Sequence, residues 1–138
     1  MLVVDANVWV AAYDPRDRFH EPSVHFLVSV ARNGVLLTCP TLALVETACA
    51  VARRAGDAEA GLAAQGRLSA HPMLTLHPMT DRLMDASAEL GTRLLLRGAD
   101  AIYAATAAMA DASLISWDAA LVTRAGAHSP SEWLAASG

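Results

Sequence analysis

The sequence predicts an α/β fold: a three-layer α/β/α sandwich around a short, mostly parallel central sheet. Three observations lead there. Short β-branched or apolar runs at 2–4, 35–39, 73–77 and 113–117 alternate with stretches whose apolar residues recur at helical spacing. The connections between these runs are short, as when helices cross over between parallel strands. With 138 residues, 54% of them hydrophobic and 17% charged, the chain can fill a core. It reads as one domain over 1–138, without repeats or low-complexity linkers.

The elements follow in order. The run 2–4 stops at Asp5, as a buried parallel strand stops at its polar edge. A helix over 7–13 has Asp5 or Asn7 to cap it, and the charged, proline-containing stretch 14–21 is a loop. Residues 22–33 form a helix with apolar positions 24, 27, 28 and 31, and Asn33-Gly34 ends it. The second strand, 35–39, is stopped by Pro40. Thr41 then caps a helix that runs to Arg54 and closes at Gly56, and a second helix over 57–68 completes a hairpin. The third strand candidate, 73–77, lies between Pro72 and Pro78. Thr80 or Asp81 caps a long amphipathic helix to residue 96. After Arg97-Gly98, a helix over 99–110 carries alanines at 104, 105, 107 and 108 that permit close packing on a sheet. The fourth strand, 113–117, ends at Asp118, a short helix occupies 119–124, and Gly126 breaks it. The tail 128–134 has room for the stub of a fifth strand.

Charge narrows the possible chemistry. Fourteen acidic and ten basic residues give a net charge of −4 and a pI near 5.6, which argues against a broadly basic nucleic-acid surface. All ten basic residues are arginine. The absence of lysine removes Schiff-base chemistry, the P-loop, and receiver-type or haloacid-dehalogenase-type phosphoryl transfer. It removes nothing from arginine contacts to phosphate. No GxSxG or GxGxxG occurs, and the five histidines lack HxxxH or HxH spacing, so no zinc site is expected. Cys39 and Cys49 form no CxxC pair and lie in apolar stretches, where buried reduced thiols are expected. The start, Met-Leu-Val-Val-Asp, has no basic region ahead of an apolar run, and the apolar windows 24–31 and 42–52 are interrupted by His25 and Glu46. Neither a signal peptide nor a membrane span is expected, and the protein is read as soluble and cytoplasmic.

In an open parallel sheet, ligands bind beyond the carboxyl ends of the strands. Asp5 directly follows the first strand and Asp118 the fourth. Glu46 interrupts an apolar helix after the second, and Asp100 stands in the first turn of another helix. Asp5, Asp100 and Asp118 each also suit a helix cap. Glu46 is harder to explain that way, because a carboxylate among apolar neighbours costs free energy unless its charge is compensated. Four carboxylates at one sheet edge would repel one another. A divalent cation relieves that repulsion, and oxygen donors suit Mg²⁺ or Mn²⁺.

The segments Leu2-Val3-Val4-Asp5-Ala6-Asn7, Glu46 in its helix, Gly98-Ala99-Asp100-Ala101-Ile102-Tyr103-Ala104-Ala105-Thr106-Ala107 and Leu114-Ile115-Ser116-Trp117-Asp118 together resemble the PIN domain. The particular likeness is to VapC-type toxin ribonucleases of prokaryotic toxin–antitoxin pairs, and it covers the whole chain. It implies a metal-dependent endoribonuclease in which Asp5, Glu46, Asp100 and Asp118 bind one or two Mg²⁺, with Mn²⁺ as a substitute. By implication the metal activates water for in-line attack on an RNA phosphodiester, leaving a 5′-phosphate and a 3′-hydroxyl. Asn7 and Ser116 correspond to small polar residues beside the family's site. Arg93, Arg97 and Arg124, with Arg53 and Arg54, flank the acids and are candidates for RNA backbone contacts. Trp9, Trp117 and Trp133 are expected in the core or at an interface, and Trp117, next to Asp118, is the one of the three that is also a candidate to touch substrate. A cognate antitoxin and a homodimer are the partners the resemblance implies. Two departures stand out: the last strand is shortened, with only residues 127–129 between Gly126 and Pro130, and Ser116 stands where threonine is commoner. The competing expectation is a PIN-like module that binds RNA or protein without cutting, against which the retention of all four acids argues.

Overall fold

The computed structural model describes all of Met1–Gly138. Strands β1 (Leu2–Val4), β2 (Leu37–Pro40), β3 (Leu74–His77) and β4 (Ser113–Ile115) lie in the order β3-β2-β1-β4, and every pairing is parallel. β1 and β2 are buried along their whole length, as a parallel sheet covered on both faces requires. Val3 pairs with Thr38 on one side and Leu114 on the other, which fixes the register of the centre. The fifth strand is a single parallel bridge between Ile115 and His128, the stub for which the short segment before Pro130 leaves room.

Eight helices cover the sheet: α1 (Ala6–Tyr13), α2 (His20–Arg32), α3 (Leu42–Ala55), α4 (Ala58–Ser69), α5 (Asp81–Leu94), α6 (Gly98–Met109), α7 (Ala119–Ala125) and α8 (Pro130–Ser137). The alanine run does what its small side chains permit. α6 lies across β1, β2 and β4 with Ala101, Ala104, Ala105 and Ala107 buried, and α5 packs behind it. α1, α2 and α8 form a second helical group, and the α3–α4 hairpin closes against α1, β2 and β3. Trp9, Phe26, Leu37, Tyr103 and Ile115 are the large side chains of the core between these layers. No helix is long and apolar enough to cross a membrane.

Several local expectations change. α8 is a full helix, where the sequence reading left only a strand stub. Ser129 and Glu132 form a reciprocal capping box around Pro130 in the first turn. α2 begins at His20 rather than Pro22, and Phe19 precedes it without a side-chain cap. Thr41 occupies the start of α3, but its hydroxyl makes no cap bond. β2 starts two residues later than expected, at Leu37, and runs one residue further, through Pro40, whose missing N–H is harmless at a strand end. Cys39 is buried, its thiol donating to the Val4 carbonyl at 2.9 Å, and burial pushes its pKa up to about 12. Cys49 is exposed, contrary to the expectation of two buried thiols.

The α3–α4 hairpin depends on Gly61. A methyl group there would collide with the Ala48 carbonyl oxygen and stand 2.7 Å from the Ala52 methyl. Gly66, on the same helix, faces open space. Gly61→Ala is therefore expected to destabilise by about 1–3 kcal/mol through overpacking. Gly66→Ala should stabilise by up to about 1 kcal/mol through helix propensity. Urea denaturation of both variants checks the pair, and equal effects would contradict the close helix contact.

Candidate active site

The strand order decides where a site can form. The chain steps from β1 outward through β2 to β3 and then returns to the other side of β1 with β4. Connections therefore diverge between β1 and β4, and their carboxyl ends open a crevice. Asp5 and Asp118 are at that crevice. Each also starts a helix: Asp5 accepts from the Asn7 N–H at 3.4 Å, and Asp118 Oδ1 accepts from Ala120 and Leu121 N–H at 2.8 and 3.2 Å. Capping and site membership, alternatives in the sequence, coincide here.

Ser116 ties the two strand ends together. Its hydroxyl donates to Asp5 Oδ2 at 2.7 Å and accepts from Asn7 Nδ2 at 3.1 Å and from the Asp118 N–H at 2.9 Å. Asn7 completes the link by accepting from the Trp117 N–H at 3.2 Å. Ser116 is fully buried, so every bond its hydroxyl can make is satisfied by groups that position the acids.

Glu46 and Asp100 arrive from α3 and α6. Tyr103, one helical turn after Asp100, donates its hydroxyl to Glu46 Oε1 at 2.7 Å. This compensates the carboxylate that interrupts the apolar run, and burial raises the Tyr103 pKa well above its usual value. Asp100 does not cap α6, as one expectation had it. Arg97 holds the cap position, and Asp100 Oδ2 takes the Arg97 Nε at 3.0 Å. All four acids line one cavity of about 560 Å³, together with Asn7, Arg97, Arg53 and Arg54 and an apolar rim that includes Val10 and Val45.

The electrostatics centre on Asp5. Burial pushes its pKa up to about 7, with Glu46 and Asp100 adding to the rise and the Ser116 hydrogen bond opposing it. Asp100 and Asp118 instead share a counter-charge. The Arg97 guanidinium bridges them at 3.0 and 2.9 Å while its side chain stays 77% exposed. With Arg97 in that position, no three His, Cys, Asp or Glu side chains converge closely enough to hold an ion. The donor set nevertheless fits a hard divalent cation. The donors are all carboxylate oxygens, one of them is buried without a cationic partner, and the cation that compensates two others is an exposed side chain.

The remaining arginines divide. Arg54 lines the cavity but is also bound to Asp14 at 3.2 Å and Asp17 at 2.7 Å, which fixes the α1–α2 loop against the end of α3. Arg53 lines the cavity as well. Arg93 lines a separate hollow with Glu89 and Met109, and Arg124 donates to the Leu95 carbonyl at 2.7 Å, closing the end of α5. Neither reaches the acids. The sequence reading missed Tyr103 as a partner of Glu46. The available signal was its position three residues after Asp100, on the same helical face.

Because folding raises the Asp5 pKa from 3.8 to about 7, the folded state holds more protons between those values. The Asp5 contribution is thus fully present below about pH 4 and is lost as pH rises through 7. In EDTA, wild type is expected to lose on the order of 4 kcal/mol more stability than Asp5→Asn between pH 4 and 8. Urea melts across that range check this, and parallel pH profiles would contradict it.

Comparison with known proteins bears on the fold and the family. No curated protein matches the chain. Among solved structures, VapC20 of Mycobacterium tuberculosis, a sarcin–ricin loop cleaving toxin, superposes with a TM-score of 0.74 at 19% identity, over 86% of this chain and 90% of that one. A toxin–antitoxin complex from Klebsiella pneumoniae gives 0.70 at 14% identity, over 94% and 98%. FitAcB from Neisseria gonorrhoeae gives 0.71 at 18%, over 96% and 99%. At these identities the likeness is one of fold. The sequence pattern of the PIN domain family matches residues 2–126, nearly the full length, and the chain belongs to that family.

Proposed function

We propose that this PIN-domain protein, folding as one domain over 1–138, is a divalent-metal-dependent endoribonuclease and the toxin of a toxin–antitoxin pair. The observation that carries it is that four carboxylates, from four separate segments, line one cavity at the β1–β4 crossover. An RNA substrate is supported by the fold shared with a sarcin–ricin loop cleaving toxin, and a cognate antitoxin by the fold shared with toxin–antitoxin complexes. Cytoplasmic action and a homodimer complete the proposal on the strength of the PIN-toxin resemblance.

Asp5, Glu46, Asp100 and Asp118 would hold Mg²⁺ or Mn²⁺, which when bound supplies an activated water and offsets charge developing on the phosphate. The protein's own groups prepare that chemistry. Ser116 holds Asp5 through Oδ2, and Tyr103 fixes one oxygen of Glu46. The first turn of α7 holds Asp118 through Oδ1, leaving Oδ2 to Arg97. Arg97 competes with any cation for oxygens of Asp100 and Asp118, and Arg53, which lines the cavity without a carboxylate partner, is the arginine we assign to a phosphodiester contact.

Incubating a mixed structured RNA pool with wild type should give cleavage in Mg²⁺ or Mn²⁺ and none in EDTA. Asp5→Asn should lower the rate at least about a hundredfold. Metal-independent cleavage, or full activity in Asp5→Asn, would overturn the metal-nuclease proposal. Metal binding and RNA binding without cleavage would favour the non-cleaving module. Calorimetry should show Arg97→Gln binding Mn²⁺ more tightly than wild type, because a competing cation has been removed. Weaker binding would mean that Arg97 supports the metal site rather than opposing it.

A further inference from the structure

Beside the carboxylate cavity, and sharing Asn7, Arg54 and Asp118 with it, lies a second cleft of about 340 Å³. Its other walls are Asp17, Arg18, Phe19 and Trp117. Phe19 and Trp117 lie face to face, with centroids 4.1 Å apart and planes within 6° of parallel. The Arg18 guanidinium carbon stands 4.4 Å from the Phe19 centroid. Trp117 packs against the hydrophobic core, whereas Phe19 takes no part in it. The ion pairs of the chain use Arg16, Arg54 and Arg97, which leaves Arg18 without a carboxylate partner.

This stack is held in place from both sides. Trp117 Nε1 donates to the buried Ser23 hydroxyl at 2.9 Å, and its backbone N–H donates to Asn7. The Phe19 N–H donates to Asp17 Oδ1 at 2.8 Å, and Asp17 Oδ2 takes Arg54 at 2.7 Å. Asn7, Asp17 and Arg54 are therefore occupied by these bonds. With Trp117 over one face of Phe19 and the Arg18 guanidinium over the other, what the stack offers a ligand is the outer plane of that unpaired guanidinium, backed by the two rings, and the ring edges.

Resting on the ribonuclease proposal above, we propose that the Arg18–Phe19–Trp117 cleft is a subsite for one unpaired nucleobase of the RNA whose backbone lies at the carboxylates. Aromatic rings and arginine planes stack on any base, but only on one that has left its helix. Trp117 and Asp118 are consecutive, so a base in the cleft is adjacent to a phosphate at the acids. The chain thereby selects looped or single-stranded RNA without a basic surface.

The test uses Asp5→Asn protein in Mg²⁺, so that RNA is bound but not cut. Fluorescence anisotropy compares a mixed-sequence single-stranded RNA dodecamer with a strand of equal length made of abasic ribose phosphates. The base-bearing strand is expected to bind about tenfold more tightly. Phe19→Leu and Trp117→Leu, which keep apolar bulk, should each bring that preference close to one while affinity for the abasic strand stays the same. Thermal melts identify a variant that fails to fold. Arg18→Gln, at an exposed position, should also lower the preference without touching packing. Absence of the preference, including no measurable binding of either strand, or a preference untouched by these variants, overturns the subsite. Wild-type cleavage measured in parallel separates the two proposals. Cleavage without the preference leaves the nuclease standing and the subsite fallen, and a stack-dependent preference without cleavage does the reverse.

Discussion

The hydrogen bond from the Ser116 hydroxyl to Asp5 joins the carboxyl ends of two adjacent parallel strands, and the site is built outward from it. A parallel sheet brings such ends side by side only where the strand order reverses, and here that place is between β1 and β4. Ser116 fixes Asp5 on one side, while Asn7 and the start of α7 attach to the same oxygen on the other. A hydroxyl can donate once and accept twice, and this one does so entirely within the site. A threonine here would carry the same hydroxyl, so the hydrogen-bond logic requires a hydroxyl rather than serine in particular.

Charge crowding at this edge is managed in three physically different ways. Asp118 is stabilised by the N–H groups at the start of α7 and by Arg97, Asp100 by Arg97, and Glu46 by a phenol hydroxyl. Asp5 receives hydrogen bonds but no cation, and it is the acid whose pKa rises to about 7. The contrast shows what a cation at the centre of the cavity would neutralise. It also shows how the chain tolerates four carboxylates: burial raises the pKa of one to about 7, two share an arginine, and the fourth takes a phenol hydroxyl.

Much of this was legible in the sequence, for identifiable reasons. Strands β1 and β4 are visible as short apolar runs; β1 ends directly at Asp5, whereas β4 stops at Ile115 rather than at the expected 117, leaving Ser116 and Trp117 between it and Asp118. Pairing was not legible: nothing in Glu46 or Tyr103 alone announces a hydrogen bond across 57 positions. The place of Arg97 beside the acids in sequence makes it a candidate RNA contact, but its pairing with Asp100 and Asp118, made while its side chain stays exposed, has no signal there. Helix α8 was missed although Ser129, Pro130 and Glu132 spell its start, because its few apolar residues give little periodicity. Phe19 offered no signal, since a lone aromatic in a charged loop acquires meaning only when Trp117, 98 positions away, stacks on it.

The use of arginine alone bears on how an acidic protein can meet RNA. A net charge of −4 gives no long-range attraction to a polyanion. The arginines nearest the acids are committed, Arg97 as a bidentate bridge and Arg54 to Asp14 and Asp17. A lysine could not span two carboxylates with one planar group, so the bridge depends on the guanidinium fork. Under the proposed function, the means left for holding RNA act at short range: a metal between the carboxylates for the phosphate, and the Arg18 plane on its ring stack for a base. Both act only at contact, which makes recognition depend on an RNA that presents a phosphate and an unstacked base together.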